Sequence, residues 1–325
     1  MKNKVKTLVL GAGAGGLGSA VWLKESKSEF MVVEGAKELP LNMHNGVHYL
    51  HSIPPLPFDS ELKKITLTDG VLVNDEIMHK PSLKHALEYS EKVREIQHPS
   101  SIMEVGKEDS VFMPKSNSLN ELMTQMYEYS GKENFEFGYW LKSLDTDAKI
   151  ASFEKEGETF RVEYENVIST ISLDKLLPML NFPGIMELQM KLKCTPVYVT
   201  NYKVEKIVPN WMINLYIPNK NSPIYRASIL NGICSVESIR TLGTSERWQV
   251  RDVLSMFHLA DEEVETFCWS TGKVISISID ERTKLIETLK EMNIYLVGRF
   301  ARWDRKLLVD TTINQAKEVI EEIIK

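Results

Sequence analysis

Gly11, Gly13 and Gly16 lie in the run Gly11-Ala12-Gly13-Ala14-Gly15-Gly16, a spacing suited to holding a dinucleotide by its phosphates. The first glycine permits a tight turn, the second admits a pyrophosphate against bare backbone, and the third lets a helix pack closely on a strand. Gly15 completes the loop, and the amides of the helix that follows would face the phosphates. Glu34 comes 18 residues after Gly16, near the spacing of about 20 at which a carboxylate takes ribose hydroxyls. Gly35 stands directly behind it. The pattern suits a flavin or a nicotinamide dinucleotide.

The other candidates are basic, aromatic or capping residues. Arg299, after Gly298, carries a planar guanidinium that can grip phosphate oxygens with two parallel hydrogen bonds. Asp310, Thr311 and Thr312 open a helix, which capping explains, and the positive end of that helix would favour nearby negative charge. His48 and His51 are three apart and suit either a reactive edge or an ordinary loop; no third or fourth ligand at suitable spacing supports zinc. Tyr225 and Arg226 either hold a substrate anion or form a sheet-surface pair. Trp303 either packs or forms a substrate platform. Cys194, Cys234 and Cys268 lie far apart, which predicts buried reduced thiols. No Ser-His-Asp order, Walker loop or zinc signature accompanies them.

These residues need elements to hold them. Val5 to Leu10 reads as a strand, Leu17 to Lys24 as a helix and Phe30 to Val33 as a second strand ending at Glu34, one βαβ unit. Residues 38–57, His44 among them, have no sustained period and read as a loop. Residues 81–97 and 117–129 have helical spacing, the second with a possible capping box from Ser118 and Glu121. Ile150 to Glu154 and Thr159 to Tyr164 read as a meander, Asn166 to Ile171 as a separate short strand and Leu173 to Leu180 as a helix. The block from Val197 to about Cys234 suggests an antiparallel sheet; Ile294 to Val297 and Thr312 to Ile324 form a last strand and helix. The order predicts an α/β fold in which a discontinuous Rossmann-type domain, residues 1–60, 111–182 and 291–325, carries two insertions. Residues 61–110 are expected to be a helical insertion, and residues 183–290 a mixed α+β substrate domain with an antiparallel sheet.

A chain of 325 residues can bury a core of that size. No apolar stretch approaches the roughly 20 residues of a membrane helix, so a cytoplasmic protein without a membrane partner is expected. The net charge of −6 argues against a broad polyanion-binding surface. It leaves room for a local basic groove at Arg299, Arg302, Arg305 and Lys306.

Four segments carry a family resemblance. Tyr164-Glu165-Asn166-Val167-Ile168-Ser169-Thr170-Ile171-Ser172-Leu173 resembles the "D-x-V-I-S-T-x-P-L" strand of the flavin amine oxidase superfamily. Gly298-Arg299-Phe300-Ala301-Arg302-Trp303, with Asp310-Thr311-Thr312-Ile313 behind it, is similar to that group's C-terminal flavin segment. Gly46-Val47-His48-Tyr49-Leu50-His51-Ser52 resembles "G-P-H-I-F-H-T" of the UDP-galactopyranose mutase and protoporphyrinogen oxidase-like branch. Tyr216-Ile217-Pro218 with Pro223-Ile224-Tyr225-Arg226 resembles the "Y-x-P…P-F-Y-R" of the same branch. The matches run in family order along nearly the whole chain. Two departures stand out: residues 35–45 lack the usual Arg and Gly-Gly pair, and Ser172 replaces a proline.

The resemblance implies FAD as cofactor, with Thr170, Gly298, Arg299, Asp310, Thr311 and Thr312 beside it and His48 and His51 near the flavin edge. It implies an oxidoreductase acting on a C–N bond of an amine or amino-acid conjugate, with the cofactor taking up a hydride equivalent. The first alternative is a redox-neutral rearrangement of a nucleotide sugar. The second is an enzyme acting on an amino acid attached to a thymine in phage DNA, and the third a flavin-binding module without catalysis.

Overall fold

The computed structural model describes residues 2–42, 47–73, 76–94, 109–180, 185–203, 210–243, 250 and 263–325. His44, Gly46, Gln97 and Glu262 lie outside them. Among the described residues, fifteen strands form two sheets.

The first sheet holds β1 (Lys4–Leu10), β2 (Phe30–Glu34), β6 (Phe135–Phe137), β7 (Trp140–Asp145), β8 (Ile150–Lys155), β9 (Glu158–Ser169) and β15 (Ile294–Leu296). Its order is β6-β2-β1-β9-β8-β7, with β15 also on β9. Val5 and the run Thr7 to Leu10 are buried, as a strand covered on both faces must be. β1 lies parallel to β2 and β9, and β15 parallel to β9. Three widely separated stretches of chain therefore build one Rossmann-type sheet. Helices α1 (Ala14–Glu25) and α7 (Val309–Ile323) pack on it together, Gly18 lying against Ile313 and Ala316. The expected break between Tyr164 and Asn166 is absent. β9 is one strand that pairs antiparallel with β8 at its start and parallel with β1 from Glu163 onward.

The second sheet holds β3 (Leu62–Val73), β4 (Glu76–Met78), β5 (Asp109–Pro114), β10 (Lys193–Lys203), β11 (Trp211–Tyr216), β12 (Ile224–Leu230), β13 (Ile233–Ser238) and β14 (Glu263–Ile275), in the order β14-β10-β13-β12-β11-β3-β4 with β5 on β3. This corrects the reading of 61–110 as a helical insertion. Ile65, Leu67 and Val71 are buried at strand spacing among the β-branched Thr66, Thr68 and Val73, a period of two, and among the described residues α2 (Leu83–Arg94) is the one helix there. The sheet is mixed, because β11 joins β3 in parallel.

Helix α3 (Leu119–Ser130) starts where expected: the Ser118 hydroxyl accepts a hydrogen bond from the Asn120 amide at 3.2 Å. The capping box does not close, since the Glu121 carboxylate accepts from the Ser116 amide instead, at 3.0 Å. The short helices α4 (Leu173–Leu176) and α5 (Ile185–Lys191) follow β9, and α6 (Ile279–Glu291) precedes β15. One apolar core runs between the sheets, joining Val9, Leu17 and Ile313 to Ile65, Met113 and Met212 through Leu122 and Met126 of α3. Among the described residues no helix is long and apolar enough to cross a membrane.

Candidate functional site

At the C-terminal end of β1 the loop has the shape its glycines allow. Gly11 sits at φ +97, a left-handed conformation that favours glycine, and its amide donates to Val33 O at 2.8 Å. A Cβ on Gly16 would lie 1.8 Å from Gly11 O, whereas one on Gly13 would meet nothing within 4 Å. Gly13 is the N-cap of α1, has no side chain to satisfy the first-turn amides, and no acid occupies that turn. The helix end therefore presents donors and positive dipole to open space, which suits an anion.

Glu34 braces this loop. One carboxylate oxygen accepts from the Ala12 amide at 2.8 Å and the other from the Ala36 amide at 2.8 Å. A carboxylate has about four acceptor positions, so capacity remains for ribose hydroxyls. Thr170 braces the loop, its hydroxyl donating to Leu10 O at 2.7 Å and lying over Gly11. Gly15 is enclosed by the side chains of Thr170, Val297 and Thr312.

The third stretch closes the far side. Gly298 sits at φ +100 and its amide donates to Gln315 Oε1 at 2.8 Å. Leu308, not Asp310, is the N-cap of α7, and the Thr311 hydroxyl accepts from the Leu308 amide at 2.7 Å. That frees Asp310 for another task. Only 1% exposed, it accepts at Oδ2 from the amide and hydroxyl of Ser52, at 2.8 and 2.7 Å, while Oδ1 is buried without a partner among the described residues. The loop bearing His48 and His51 is thereby tied to the start of α7. The His48 ring lies 5.8 Å from Trp269 of β14; His51 is exposed, with its ring 5.0 Å from Tyr49.

The second sheet contributes a charged wall. Arg226 pairs with Glu237 across β12 and β13, beside a register shift between Ile224 and Arg226. Such a bulge re-aims side chains, and the consecutive residues Tyr225 and Arg226 both reach Glu237. Arg226 Nε donates to Glu237 Oε1 at 3.0 Å, its Nη2 bonds the same oxygen, and the Tyr225 hydroxyl donates to Oε2. Lys273 Nζ stands 3.6 Å from that carboxylate and 4.9 Å from the Tyr225 ring centroid. Burial alone would raise the Glu237 carboxyl, but Arg226 and Lys273 outweigh it and hold it at about 2. Burial pulls Lys273 down to about 7; Glu237 opposes this, while Arg226, Arg299 and Arg94 add to it.

Arg299 belongs to the same electrostatic neighbourhood. Burial and then the charges of Arg94 and Arg226 pull it down to about 10, and its Nε donates to Leu307 O at 2.7 Å. Asp304 and Glu237 oppose this pull. Arg94 comes from α2, with Nε buried and lacking a partner among the described residues. The same helix is tied to the second sheet by Lys92, whose ammonium donates to the carbonyls of Ile217 at 2.8 Å, Asn219 at 2.9 Å and Ile224.

Three expectations change. Trp303 is fully buried in the core cluster with Leu173, Leu176 and Ala301, at φ +51, and packs rather than forming a substrate platform. Of the three cysteines only Cys234 is buried, Cys268 being exposed and Cys194 partly so. Arg302 and Arg305 do not form an exterior groove with Arg299, since Arg302 turns back to donate to Leu296 O at 2.9 Å and the half-buried Arg299 donates to Leu307 O. Glu237, Lys273 and Arg94 were missed. Glu237 had a signal, a lone acid inside the apolar strand Ile233–Ser238; Lys273 and Arg94 had none.

No protein-family model and no curated protein sequence matches the chain. Solved structures do. A reduced UDP-galactopyranose mutase superposes with a TM-score of 0.72 at 18% identity, over 98% of this chain and 94% of that one. Putrescine oxidase bound to putrescine superposes at 0.64 with 9% identity, over 99% of each chain. Aklavinone-11 hydroxylase, in a complex with FAD and aklavinone, superposes at 0.59 with 12% identity, over 99% of this chain and 63% of that one. With its discontinuous first sheet, parallel around β1, its second sheet and its connecting order, the chain has the Rossmann-type fold of UDP-galactopyranose mutase and putrescine oxidase, the group its sequence resembles.

Proposed function

We propose that the chain is an FAD-dependent enzyme whose substrate carries an anionic group, with rearrangement of a nucleotide sugar ahead of oxidation of a simple amine. The residues fit FAD at three points: the open face of Gly13, the remaining acceptor positions of Glu34 and the orphaned buried Oδ1 of Asp310, which suits a ligand hydroxyl. Bound there, the cofactor would supply hydride or electron-pair chemistry. Gly11 to Gly16 and Glu34 would grip its nucleotide half, while Asp310 and Ser52 would hold the loop of His48 and His51 against it.

One observation carries the substrate class. Among the described residues, Arg94, Arg226, Lys273 and Arg299 share the field of the Glu237 carboxylate, with Asp304 as a second carboxylate acting on Arg299. Half-buried cations in excess of their partners carry a desolvation cost, which supports a ligand that brings negative charge to the wall. A diphosphate answers that surplus better than one carboxylate, which places the nucleotide sugar first. An amino-acid conjugate answers it in part, whereas a polyamine cation is repelled. The inward placement of these cations gives a DNA duplex little to bind, and so supports that substrate least.

The purified protein is expected to show two visible flavin bands and to release FAD on denaturation. A protein that is colourless and takes up no added FAD overturns the reading. If FAD is present, UDP-galactopyranose turned over only after reduction supports the nucleotide-sugar reaction, and anaerobic bleaching by amines supports oxidation. FAD without turnover of either kind leaves a binding module.

The Lys273 ammonium also predicts a pH dependence. Its pKa of about 7 in the free protein rises when an anion binds, so the complex holds more proton than the free site above pH 7. The Kd of UDP, measured calorimetrically, is expected to weaken by about tenfold at most per pH unit above 7. Lys273→Met flattens that slope. A Kd that is level from pH 6 to 9 in the parent protein removes Lys273 from the anion site.

A further inference from the structure

We infer that Trp140 is the stacking wall for the adenine of the bound dinucleotide, an inference that rests on the FAD reading. Trp140 opens β7, and its indole is 64% exposed, unusual for so large an apolar surface. Backbone contacts rather than burial fix where it stands. The Tyr139 amide donates to Glu34 O at 3.1 Å and the Gly138 amide to Ala36 O at 2.7 Å, which lays residues 138–140 alongside residues 34–36. The six-membered part of the indole passes over Gly35, where an added Cβ would lie 3.0 Å from Cδ2 and Cε3. Part of the ring is thus covered by a bare glycine, and most of the rest is open.

Glu34 supplies the direction. One of its oxygens faces the phosphate loop through Ala12, and the other faces the turn beyond through Ala36. A nucleotide with its phosphates on the first turn of α1 and its ribose on Glu34 has its base on the side away from the loop. Gly35 and Trp140 occupy that side. Aromatic rings hold bases through their faces with little regard to hydrogen bonding. Trp140 thereby offers adenine a surface in a region, residues 35–45, that lacks the Arg and Gly-Gly pair usual in the resembling family.

The test uses the FAD-loaded protein and the variants Trp140→Ala and Trp140→Phe. FAD release on dilution is followed by flavin fluorescence, and ADP is titrated against flavin-stripped protein while tryptophan emission is read. Trp140→Ala is expected to weaken FAD and ADP by the same factor, about 5- to 150-fold. Trp140→Phe should recover most of both affinities, and the ADP-dependent change in emission should be absent from both variants. Because the side chain is mostly exposed, Trp140→Ala should keep the parent far-ultraviolet spectrum. Parent-like FAD and ADP affinities in Trp140→Ala overturn the role of Trp140 and leave the FAD reading standing. Failure of the parent protein to bind either nucleotide overturns both.

Discussion

Glu237→Gln is expected to lower folding stability by about 3–5 kcal/mol, the usual cost of removing one partner from a buried ion pair. The carboxylate is the shared counter-charge of Arg226 and Lys273 and accepts the Tyr225 hydroxyl, and it is almost entirely buried. The amide keeps the shape and one acceptor oxygen but leaves the two half-buried cations without their shared counter-charge. Lys273 can relieve part of this by shedding its proton, since it is already pulled down to about 7; Arg226 cannot. The loss should therefore be larger at pH 6 than at pH 9. Urea unfolding of Glu237→Gln, Lys273→Met and the double variant at both pH values measures it. Coupling between the two positions is expected, so the double variant should lose less than the sum of the single losses. Additive losses, or a Glu237→Gln midpoint equal to the parent's, would show that the carboxylate does not hold the wall together.

Gly16→Ala should have the largest effect on nucleotide binding. The added methyl would sit 1.8 Å from Gly11 O and 2.9 Å from Gly11 C. Both atoms are backbone, so no side-chain rotation relieves the clash, and α1 must move off β1 or the loop must open. Moving α1 has its own cost, because Gly18 lies against Ile313 and Ala316 of α7. Overpacking of this kind costs about 1–3 kcal/mol, and FAD affinity should fall by about a hundredfold or more, since the amides that face the phosphates move with the helix. Gly13→Ala is the informative partner. Its Cβ meets nothing within 4 Å, so the thermal midpoint should stay near the parent's while FAD binding weakens through obstruction of the pyrophosphate. Equal FAD affinity in Gly16→Ala and the parent protein would mean that the loop does not hold the cofactor.

How much of this was legible beforehand follows from the range of the interactions. The loop from Gly11 to Gly16 and the acid at Glu34 were readable because each requirement is local: a left-handed turn at Gly11, a close approach at Gly16, an acid at a strand end. The return of the chain to the same sheet at Ile294 to Leu296 was readable for a similar reason, since a short apolar strand ending in glycine and leading to a helix repeats the logic of the N-terminal unit. Asp310 was placed in the correct turn, but the capping that would explain it locally falls to Leu308. Capping is the local explanation, and its bond to Ser52, 258 residues away, is not local.

The wall on the second sheet had no such signature. Arg94 comes from α2, Arg226 from β12, Glu237 from β13, Lys273 from β14 and Arg299 from the turn after β15. In a strand that alternates apolar and polar residues, a charged side chain normally marks the solvent face; it becomes an interior group only when another layer covers that face. Residues 62–73 were misread for the same reason, because β3 takes its place by pairing with β11 some 140 residues later. The sequence by itself determined the glycine loop, the acid behind it and the N-terminal βαβ unit with its returning strand and helix, all set by backbone sterics and short-range periodicity. Only the tertiary structure decided that the opposite wall is cationic and inward-facing, because the energy of a charge depends on which distant groups remove its water and which stand within a few ångströms of it.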